Sequence, residues 1–161
     1  MSATKLPDRP HERVAADQLI EILLVEDSPT DAELALHALE RQNLVNRIHL
    51  VRDGAEALDF LFCTGPYANR PIDRGPKVVL LDLKLPLVDG IEVLRRMRED
   101  PRTRTIPVVV LTSSREERDI VDSYQAGVNS YIVKPVDFAQ FTEAVRQLGL
   151  YWAVLNEPPP T

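Results

Sequence analysis

Five short apolar runs divide the chain, and each of them stops at a polar residue. The central run, Val78 to Leu81, is unbroken, which is typical of a strand buried on both faces of a parallel sheet. It ends in Asp82, and Pro86 and the Asp89-Gly90 pair then open the next segment. The other runs predict strands over residues 19–25, 48–51, 107–111 and 130–133.

Segments with apolar residues at helical spacing alternate with these strands. Ser28, a capping-type residue, and Pro29 predict a helix start, and the helical pattern continues to about residue 42. About five alternations of strand and helix predict an α/β fold with a doubly wound, five-stranded parallel sheet. Residues 64–76 are rich in Gly and Pro and predict an unusually long loop. Further helices are predicted over residues 55–62, 91–99, 115–126 and 138–148.

The composition is that of an ordinary globular protein, and it narrows the classes of function. The 161 residues predict one domain over residues 20–148, preceded by a polar, flexible leader over residues 1–19. A net charge of −6 argues against nucleic-acid binding. No apolar run approaches the ~20 residues that span a bilayer. The leader lacks the apolar core of a signal peptide and Cys63 is the only cysteine, so we expect a cytoplasmic protein without an internal disulfide.

Polar residues follow the predicted strands at positions that right-handed crossovers bring to one edge of the sheet. They are Glu26 and Asp27 after the first strand, Asp82 after the third, Thr112 after the fourth and Lys134 after the fifth. Three neighbouring carboxylates repel one another unless a cation offsets them, and hard oxygen ligands suit Mg²⁺. An Asp nucleophile, a divalent ion, a Lys and a hydroxyl are the groups needed for phosphoryl transfer onto a carboxylate. The predicted product is an acyl phosphate on Asp82.

The same motifs resemble the receiver domain of two-component response regulators, which has a flavodoxin-like fold. The resemblance covers about residues 20–148, with all signature positions in order. It is carried by Val25-Glu26-Asp27, Leu81-Asp82 with Pro86 and Gly90, Leu111-Thr112-Ser113 and the run Tyr131-Ile132-Val133-Lys134-Pro135. It implies a protein that catalyses only its own phosphorylation and dephosphorylation and is otherwise not an enzyme.

The resemblance also implies a role for each site residue. Asp82 is the expected phosphoacceptor, and Thr112 and Tyr131 are the expected switch pair. Lys134 is the expected catalytic lysine, and its peptide bond to Pro135 is cis in such proteins. The expected ligands of Mg²⁺ are Asp82, Asp27, the backbone carbonyl of Lys84 and Glu26, which stands where many receivers have Asp.

A narrower resemblance points to a histidine kinase partner. The chain is similar to the small stand-alone regulators paired with phytochrome-type histidine kinases. This resemblance is carried by the long loop and by Asp31-Ala32-Glu33-Leu34, Val51-Arg52-Asp53-Gly54, Asp59-Phe60-Leu61-Phe62, Gly149-Leu150-Tyr151-Trp152 and Asn156-Glu157-Pro158-Pro159-Pro160. We expect no effector domain after the last predicted helix, and therefore output through protein–protein contacts, with no nucleic acid and no membrane involved.

An apolar run continues past the predicted receiver, and residues 149–161 form a C-terminal arm. Its apolar residues include Leu150, Tyr151, Trp152 and Leu155. Aromatic anchors favour interfaces, so we expect this arm to cross to a second copy and make a homodimer. The alternative is a last helix that runs on over its own domain.

Two other functions compete with the receiver. The first is a Mg²⁺-dependent phosphatase with an aspartyl nucleophile, but such enzymes typically carry a second Asp where this chain has Lys84. The second is a flavodoxin-like nucleotide binder. No glycine-rich phosphate loop follows the first strand, where Glu26 and Asp27 would repel phosphate.

Scattered histidines and clustered arginines suggest no further site. For His11, His37 and His49 we expect solvent or helix-surface positions. Arg95, Arg96 and Arg98 lie close to three acidic residues, so a solvated, charge-balanced helix face is expected there.

Overall fold

The computed structural model describes residues 21–40, 47–72, 75–113 and 127–150, together with residue 154. The strands are β1 (Ile22–Val25), β2 (Ile48–Val51), β3 (Val78–Asp82), β4 (Val108–Thr112) and β5 (Ser130–Val133). The α-helices are α1 (Pro29–Leu39), α2 (Gly54–Phe62), α3 (Gly90–Glu99) and α4 (Phe138–Gln147), with a 3-10 turn at Gly65–Tyr67. The strands form one parallel sheet in the order β2-β1-β3-β4-β5. The predicted doubly wound α/β fold is confirmed.

Most predicted boundaries agree with the structure to within one or two residues. The first strand begins at Ile22, later than predicted, and α1 ends at Leu39 rather than near residue 42. The predicted helix over residues 115–126 and the predicted leader over residues 1–19 lie outside the described residues. None of the helices in the described ranges is long and apolar enough to cross a bilayer.

The sheet is buried because each of its faces carries its own hydrophobic core. Along β3, Val79 and Leu81 belong to the core under α2 and α3, whereas Val78 and Leu80 belong to the core under α1 and α4. All five residues of β3 and all five of β4 are buried. A strand that is buried on both faces needs apolar residues at every position, which explains the unbroken runs in the sequence.

Every described α-helix begins at a side chain that caps its first turn. The Ser28 hydroxyl accepts a hydrogen bond from the Asp31 backbone N–H, and Pro29 follows the cap. Aspartates do the same at the other three helices, and each accepts from the backbone N–H three residues later. Such caps satisfy donors that have no partner within the helix. These aspartates are Asp53, Asp89 and Asp137.

Gly90 lets α3 start directly against the end of β3. Its backbone N–H donates to the Leu83 carbonyl at 2.9 Å. A Cβ atom at this position would lie 2.5 Å from the Asp82 carbonyl oxygen and 2.6 Å from Leu83 Cα. Only glycine therefore allows this close approach, which sets the path of the loop after Asp82.

The long loop is anchored on a buried polar cluster, which we call the loop cluster. The Tyr67 hydroxyl donates to Glu56 Oε2 at 2.8 Å and lies 2.9 Å from His49 Nε2. The His49 ring stacks on Phe60 with centroids 4.6 Å apart, and the Arg70 guanidinium lies 3.8 Å from the centroid of the same ring. Arg70 also donates to the Phe60 carbonyl. The expectation of a solvent or helix-surface position for His49 is wrong, because this residue is only 4% exposed.

Arg98 also departs from the expected solvated face. Its guanidinium donates to the carbonyl oxygens of Arg104, Ile106 and Gly127 and to Asn129 Oδ1, at distances of 2.7–3.1 Å. Burial lowers the pKa of this side chain. Arg98 therefore joins the end of α3 to the segment before β5. Arg95 does fit the expectation, since it is half exposed and pairs with two glutamates of its own helix.

The chain after α4 packs on its own domain at Leu150 and Val154. Leu150 packs against the core under α1 and α4, and Val154 is fully buried in it. The Val154 backbone N–H donates to the Leu150 carbonyl at 2.8 Å. These contacts fit the alternative in which the last helix continues over its own domain. The proposed dimer contacts of Tyr151, Trp152 and Leu155 lie outside the described residues.

Candidate functional site

The carboxyl ends of four adjacent strands bring the predicted site residues together. In the parallel register, Val25 is paired with Leu81, Asp82 with Leu111, and Thr112 with Val133. The residues at or just after these positions line one pocket at the sheet edge, which we call the acidic pocket. It contains Glu26, Asp27, Asp31, Asp82, Thr112 and Lys134.

Lys134 lies at the centre of the acidic pocket. Its ammonium nitrogen is 2.9 Å from Glu26 Oε1, 2.9 Å from Asp82 Oδ2 and 3.1 Å from Asp31 Oδ2. Its backbone N–H donates to the Thr112 carbonyl at 2.8 Å, and the Lys134–Pro135 peptide bond is cis, as the resemblance implied. Burial acts to lower the pKa of Lys134, but its hydrogen bonds to Glu26 and Asp82 outweigh burial and raise the pKa. The ammonium is therefore a permanent positive charge.

Glu26 is the most buried acid of the acidic pocket, with 1% exposure. Besides its bond to Lys134, it accepts a hydrogen bond from the Ser28 backbone N–H at 3.2 Å. Burial raises the pKa of Glu26 to about 7, and the neighbouring Asp82 carboxylate acts in the same direction, whereas Lys134 opposes it. Lys134 therefore offsets only part of the cost of burying a charge on Glu26.

Both oxygens of Asp82 are held in place. Asp82 Oδ1 accepts from the Lys84 backbone N–H at 3.1 Å, and Oδ2 accepts from the Lys134 ammonium. The residue is 5% exposed, and its neighbour Asp27 forms the exposed wall of the pocket. A carboxylate with a fixed orientation beside a cation can act as a nucleophile toward an electrophilic phosphorus.

Three of these acids are also placed to share a divalent cation. Glu26, Asp27 and Asp82 each offer a carboxylate oxygen, and these atoms lie within 4.8 Å of one another. A set of hard oxygen donors with excess negative charge fits Mg²⁺. Among the described residues, three carboxylates of the pocket face the single Lys134 ammonium, so the cluster keeps negative charge that a divalent cation would offset.

Thr112 carries a buried hydroxyl that is not hydrogen-bonded to any of the described residues. The residue is fully buried, and its Oγ1 has no hydrogen-bond partner within the part of the chain that the structure describes. Buried polar atoms are rarely left this way in folded proteins, and the exceptions often have a function. Tyr131, the other predicted switch residue, is half-buried and packs against the core under α2 and α3.

The pocket and its sheet match a known protein family. Residues 22–146 match the response regulator receiver domain. The chain belongs to this family. The match extends over most of the chain, from β1 to the end of α4, so the predicted receiver assignment is confirmed.

Receivers that work with phytochromes are among its most similar relatives. The structure of the bacteriophytochrome response regulator RtBRR has 57% sequence identity and a TM-score of 0.78, and the match covers 88% of this chain and 85% of that chain. The phosphorylated cyanobacterial phytochrome response regulator RcpA has 39% identity and a TM-score of 0.66, with coverages of 88% and 98%. The predicted resemblance to phytochrome-type regulators is therefore confirmed.

Response regulator Rcp1 of Synechocystis sp. is another relative of this receiver. It is 39% identical over 131 residues, which are 81% of this chain and 87% of Rcp1. The structure of its Mn²⁺-bound form has a TM-score of 0.65 at 37% identity, with coverages of 87% and 98%. A divalent cation is thus present in a structure of a relative with the same fold.

Sequence reasoning missed one member of the receiver's acidic pocket. The sequence pointed to Asp31 only as part of the segment Asp31-Ala32-Glu33-Leu34, which carries the narrower resemblance, but its carboxylate is the third partner of the Lys134 ammonium. A signal for it exists in the sequence. Ser28 and Pro29 start α1 directly after the acidic pair, so the first turn of this helix, which contains Asp31, begins at the edge where the site lies.

Proposed function

We propose that this receiver accepts a phosphoryl group on Asp82 from a histidine kinase of the phytochrome type and signals through protein–protein contacts. The observation that carries the proposal is the placement of Asp82. Its two oxygens are oriented by the Lys84 N–H and the Lys134 ammonium, inside a cluster of acids that fits a divalent cation. The phytochrome link rests on the similarity to RtBRR, RcpA and Rcp1.

In the proposed reaction, a carboxylate oxygen of Asp82 attacks the phosphorus of a phosphohistidine. The new O–P bond forms as the P–N bond breaks, and the imidazole leaves with the electron pair and takes up a proton. Asp82 thereby exchanges its carboxylate charge for the charge of an acyl phosphate. The Lys134 ammonium lies 2.9 Å from Asp82 Oδ2, so it is close enough to bind a phosphoryl oxygen once the phosphoryl group is attached to Asp82.

The residues proposed to hold Mg²⁺ are Glu26, Asp27, Asp82 and the backbone carbonyl of Lys84. When bound there, the ion would neutralise negative charge on the carboxylates and on the phosphoryl oxygens. Glu26 is then expected to stay ionised at neutral pH, because a cation favours the charged form of a carboxyl group.

The switch is proposed to begin at Thr112. Its buried hydroxyl is free to donate to a phosphoryl oxygen, which would give it the partner that it lacks among the described residues. A shift of this side chain would alter the space beside Tyr131 on the neighbouring strand, since Val110 of β4 is in register with Tyr131. We propose that the face around β5 carries the signal to a partner.

The remaining parts of the proposal concern assembly and location. We propose a cytoplasmic protein that forms a homodimer through its C-terminal arm, with Tyr151, Trp152 and Leu155 as contacts, and that does not bind nucleic acid or membrane. Leu150, which was also expected at the interface, packs against its own domain. The mass of the protein in solution, measured by light scattering before and after truncation following Gly149, tests the arm. An unchanged mass would contradict it.

Intact-mass spectrometry tests the phosphoacceptor directly. Incubation with Mg²⁺ and acetyl phosphate is expected to add one phosphoryl group to the wild type and none to Asp82→Asn. Glu33→Gln removes one exposed carboxylate of α1 and serves as the control that retains phosphorylation. Phosphoryl gain by Asp82→Asn, or none by the wild type, would contradict the proposal. Steady release of phosphate from generic phosphate esters would favour a phosphatase.

A further inference from the structure

The Lys134 ammonium has three N–H donors and three carboxylate acceptors around it. Two of the acceptors, Glu26 and Asp82, belong to the proposed phosphoryl-transfer site. The third, Asp31, lies outside the set of acids proposed to hold the cation. Because an ammonium donates at most three hydrogen bonds, a phosphoryl oxygen that binds Lys134 has to displace one of these carboxylates.

Asp31 differs from the other two acids in its exposure. Its side chain is 37% exposed, whereas those of Glu26 and Asp82 are 2% and 7% exposed. Asp31 therefore holds Lys134 from the solvent side. Solvent is also the side from which a phosphodonor reaches Asp82.

The position of Asp31 is set by the start of α1. The Asp31 backbone N–H donates to the Ser28 hydroxyl at 3.2 Å, and Pro29 occupies the first turn. Its carboxylate then accepts a hydrogen bond from Lys134, 103 positions further along the chain. Because the first turn is capped, the backbone of Asp31 is fixed, and this favours the ion pair between its carboxylate and Lys134.

We propose that Asp31 is a positioning residue that binds the Lys134 ammonium from the solvent side of the acidic pocket and thereby limits its binding to the phosphoryl group. This inference rests on the proposed function. Asp31 slows phosphorylation of Asp82 in two ways. It competes for the ammonium with the incoming phosphoryl oxygens, and its own negative charge repels an anionic phosphodonor.

The same contact also affects the phosphorylated protein. Once Asp82 is an acyl phosphate, Lys134 is shared among the phosphoryl oxygens, Glu26 and Asp31. When the Asp31 charge is removed, the Lys134 ammonium binds the phosphoryl oxygens more strongly. Asp31 is therefore expected to make phosphorylation slower and the acyl phosphate shorter-lived than they would be with an uncharged residue.

The test compares Asp31→Asn with the wild type and with Glu33→Gln, an equal charge change at an exposed position two residues further along the same helix. The rate of phosphorylation by acetyl phosphate with Mg²⁺ is measured by intact mass at several donor concentrations. Asp31→Asn is expected to react roughly 1.4-fold to fivefold faster, the range that corresponds to the loss of an exposed ion pair. Its acyl phosphate is expected to decay more slowly by a similar factor.

Two further measurements separate positioning from a structural role. Asp31→Glu, which keeps the charge, is expected to return both rates toward those of the wild type. Urea denaturation is expected to give similar midpoints for Asp31→Asn and Glu33→Gln, because both lose one acid near the start of α1. A purely structural role would change the midpoint and leave the ratio of the two rates unaltered.

Each outcome decides the inference. Equal rates for Asp31→Asn and Glu33→Gln, or slower phosphorylation of Asp31→Asn, would overturn the role of Asp31 while the phosphorylated wild type still supports the proposed function. A wild type that gains no phosphoryl group would overturn both.

Discussion

The acidic pocket and the loop cluster both bury polar side chains, but the two differ in how completely these side chains are hydrogen-bonded or paired with an opposite charge. In the loop cluster, Tyr67 is hydrogen-bonded to Glu56 and lies beside His49, and the Arg70 guanidinium is bonded to a carbonyl and stacked over a ring. In the acidic pocket, one ammonium faces three carboxylates, and the Thr112 hydroxyl lacks a partner within the described residues.

This difference separates a structural cluster from a functional one. Buried polar groups that are paired stabilise a fold, and groups that are left unpaired lower its stability. The pKa of Glu26 is raised by burial and by Asp82, so its charge is unfavourable in the metal-free protein. We infer that the acidic pocket keeps its excess charge and its spare hydroxyl for a cation and a phosphoryl group.

The largest expected difference between the two clusters is in how the free energy of unfolding depends on pH. Without metal, Glu26 has a pKa of about 7 in the folded protein and 4.5 as its ordinary value. The folded protein therefore binds this proton more tightly, and the free energy of unfolding falls as the pH rises from about 4.5 to about 7. A pKa difference of this size corresponds to roughly 3 kcal/mol.

Urea denaturation in the presence of a chelator, at pH 5 and pH 8, measures this fall. Glu26→Gln is expected to lose most of it, whereas Tyr67→Phe in the loop cluster is expected to retain it. Addition of Mg²⁺ at pH 8 is expected to recover part of the lost stability of the wild type. Equal falls in the wild type and Glu26→Gln would contradict this account of the acidic pocket.

A smaller effect is expected from Tyr67→Phe itself. This change removes one buried hydroxyl that bonds to Glu56 and lies 2.9 Å from His49 Nε2. Because polar groups then lose a partner in a buried place, the free energy of unfolding is expected to fall by about 2 kcal/mol. Phosphorylation of Asp82 by acetyl phosphate is expected to proceed at the wild-type rate. A large loss of that rate would show that the two clusters are coupled.

The smallest effect is expected from Thr112→Val, which is the matched change in the acidic pocket. It also removes one buried hydroxyl, but this one has no partner among the described residues. Thr112→Val is therefore expected to raise the free energy of unfolding by about 0.5–1 kcal/mol, opposite in sign to Tyr67→Phe. Chemical denaturation of the unphosphorylated protein measures it. A loss of 1 kcal/mol or more would mean that this hydroxyl is already bonded before phosphorylation.

Local patterns in the sequence were enough to predict most of the fold. The strands β3 and β4 are buried along their whole length, so their apolar runs are unbroken and easy to recognise. The start of α1 was predictable at Ser28 because a capping side chain bonds to a backbone N–H only three residues away in the sequence. Most of the site could be assembled from strand ends, since parallel strands place their carboxyl ends on one edge. Asp31 could not, because it lies in α1.

Contacts between distant elements were not predictable in the same way. His49 occupies a buried position of the edge strand β2 and stacks on Phe60 of α2, and nothing local to His49 indicates that ring. Arg98 has acidic neighbours in sequence, yet it bonds to carbonyl oxygens beyond its own helix. A long side chain has many partners within reach, and tertiary packing selects among them.

The sequence by itself determined the succession of strands and helices along the chain and five of the six polar residues of the acidic pocket. The succession follows from side-chain periodicity within each segment, and the gathering of these polar residues at one edge follows from the parallel arrangement of the strands. Only the tertiary structure decided how charge is shared in the acidic pocket. The link from Asp31 to Lys134 joins residues 103 positions apart, and it exists because the first turn of α1 and the end of β5 meet at the same edge.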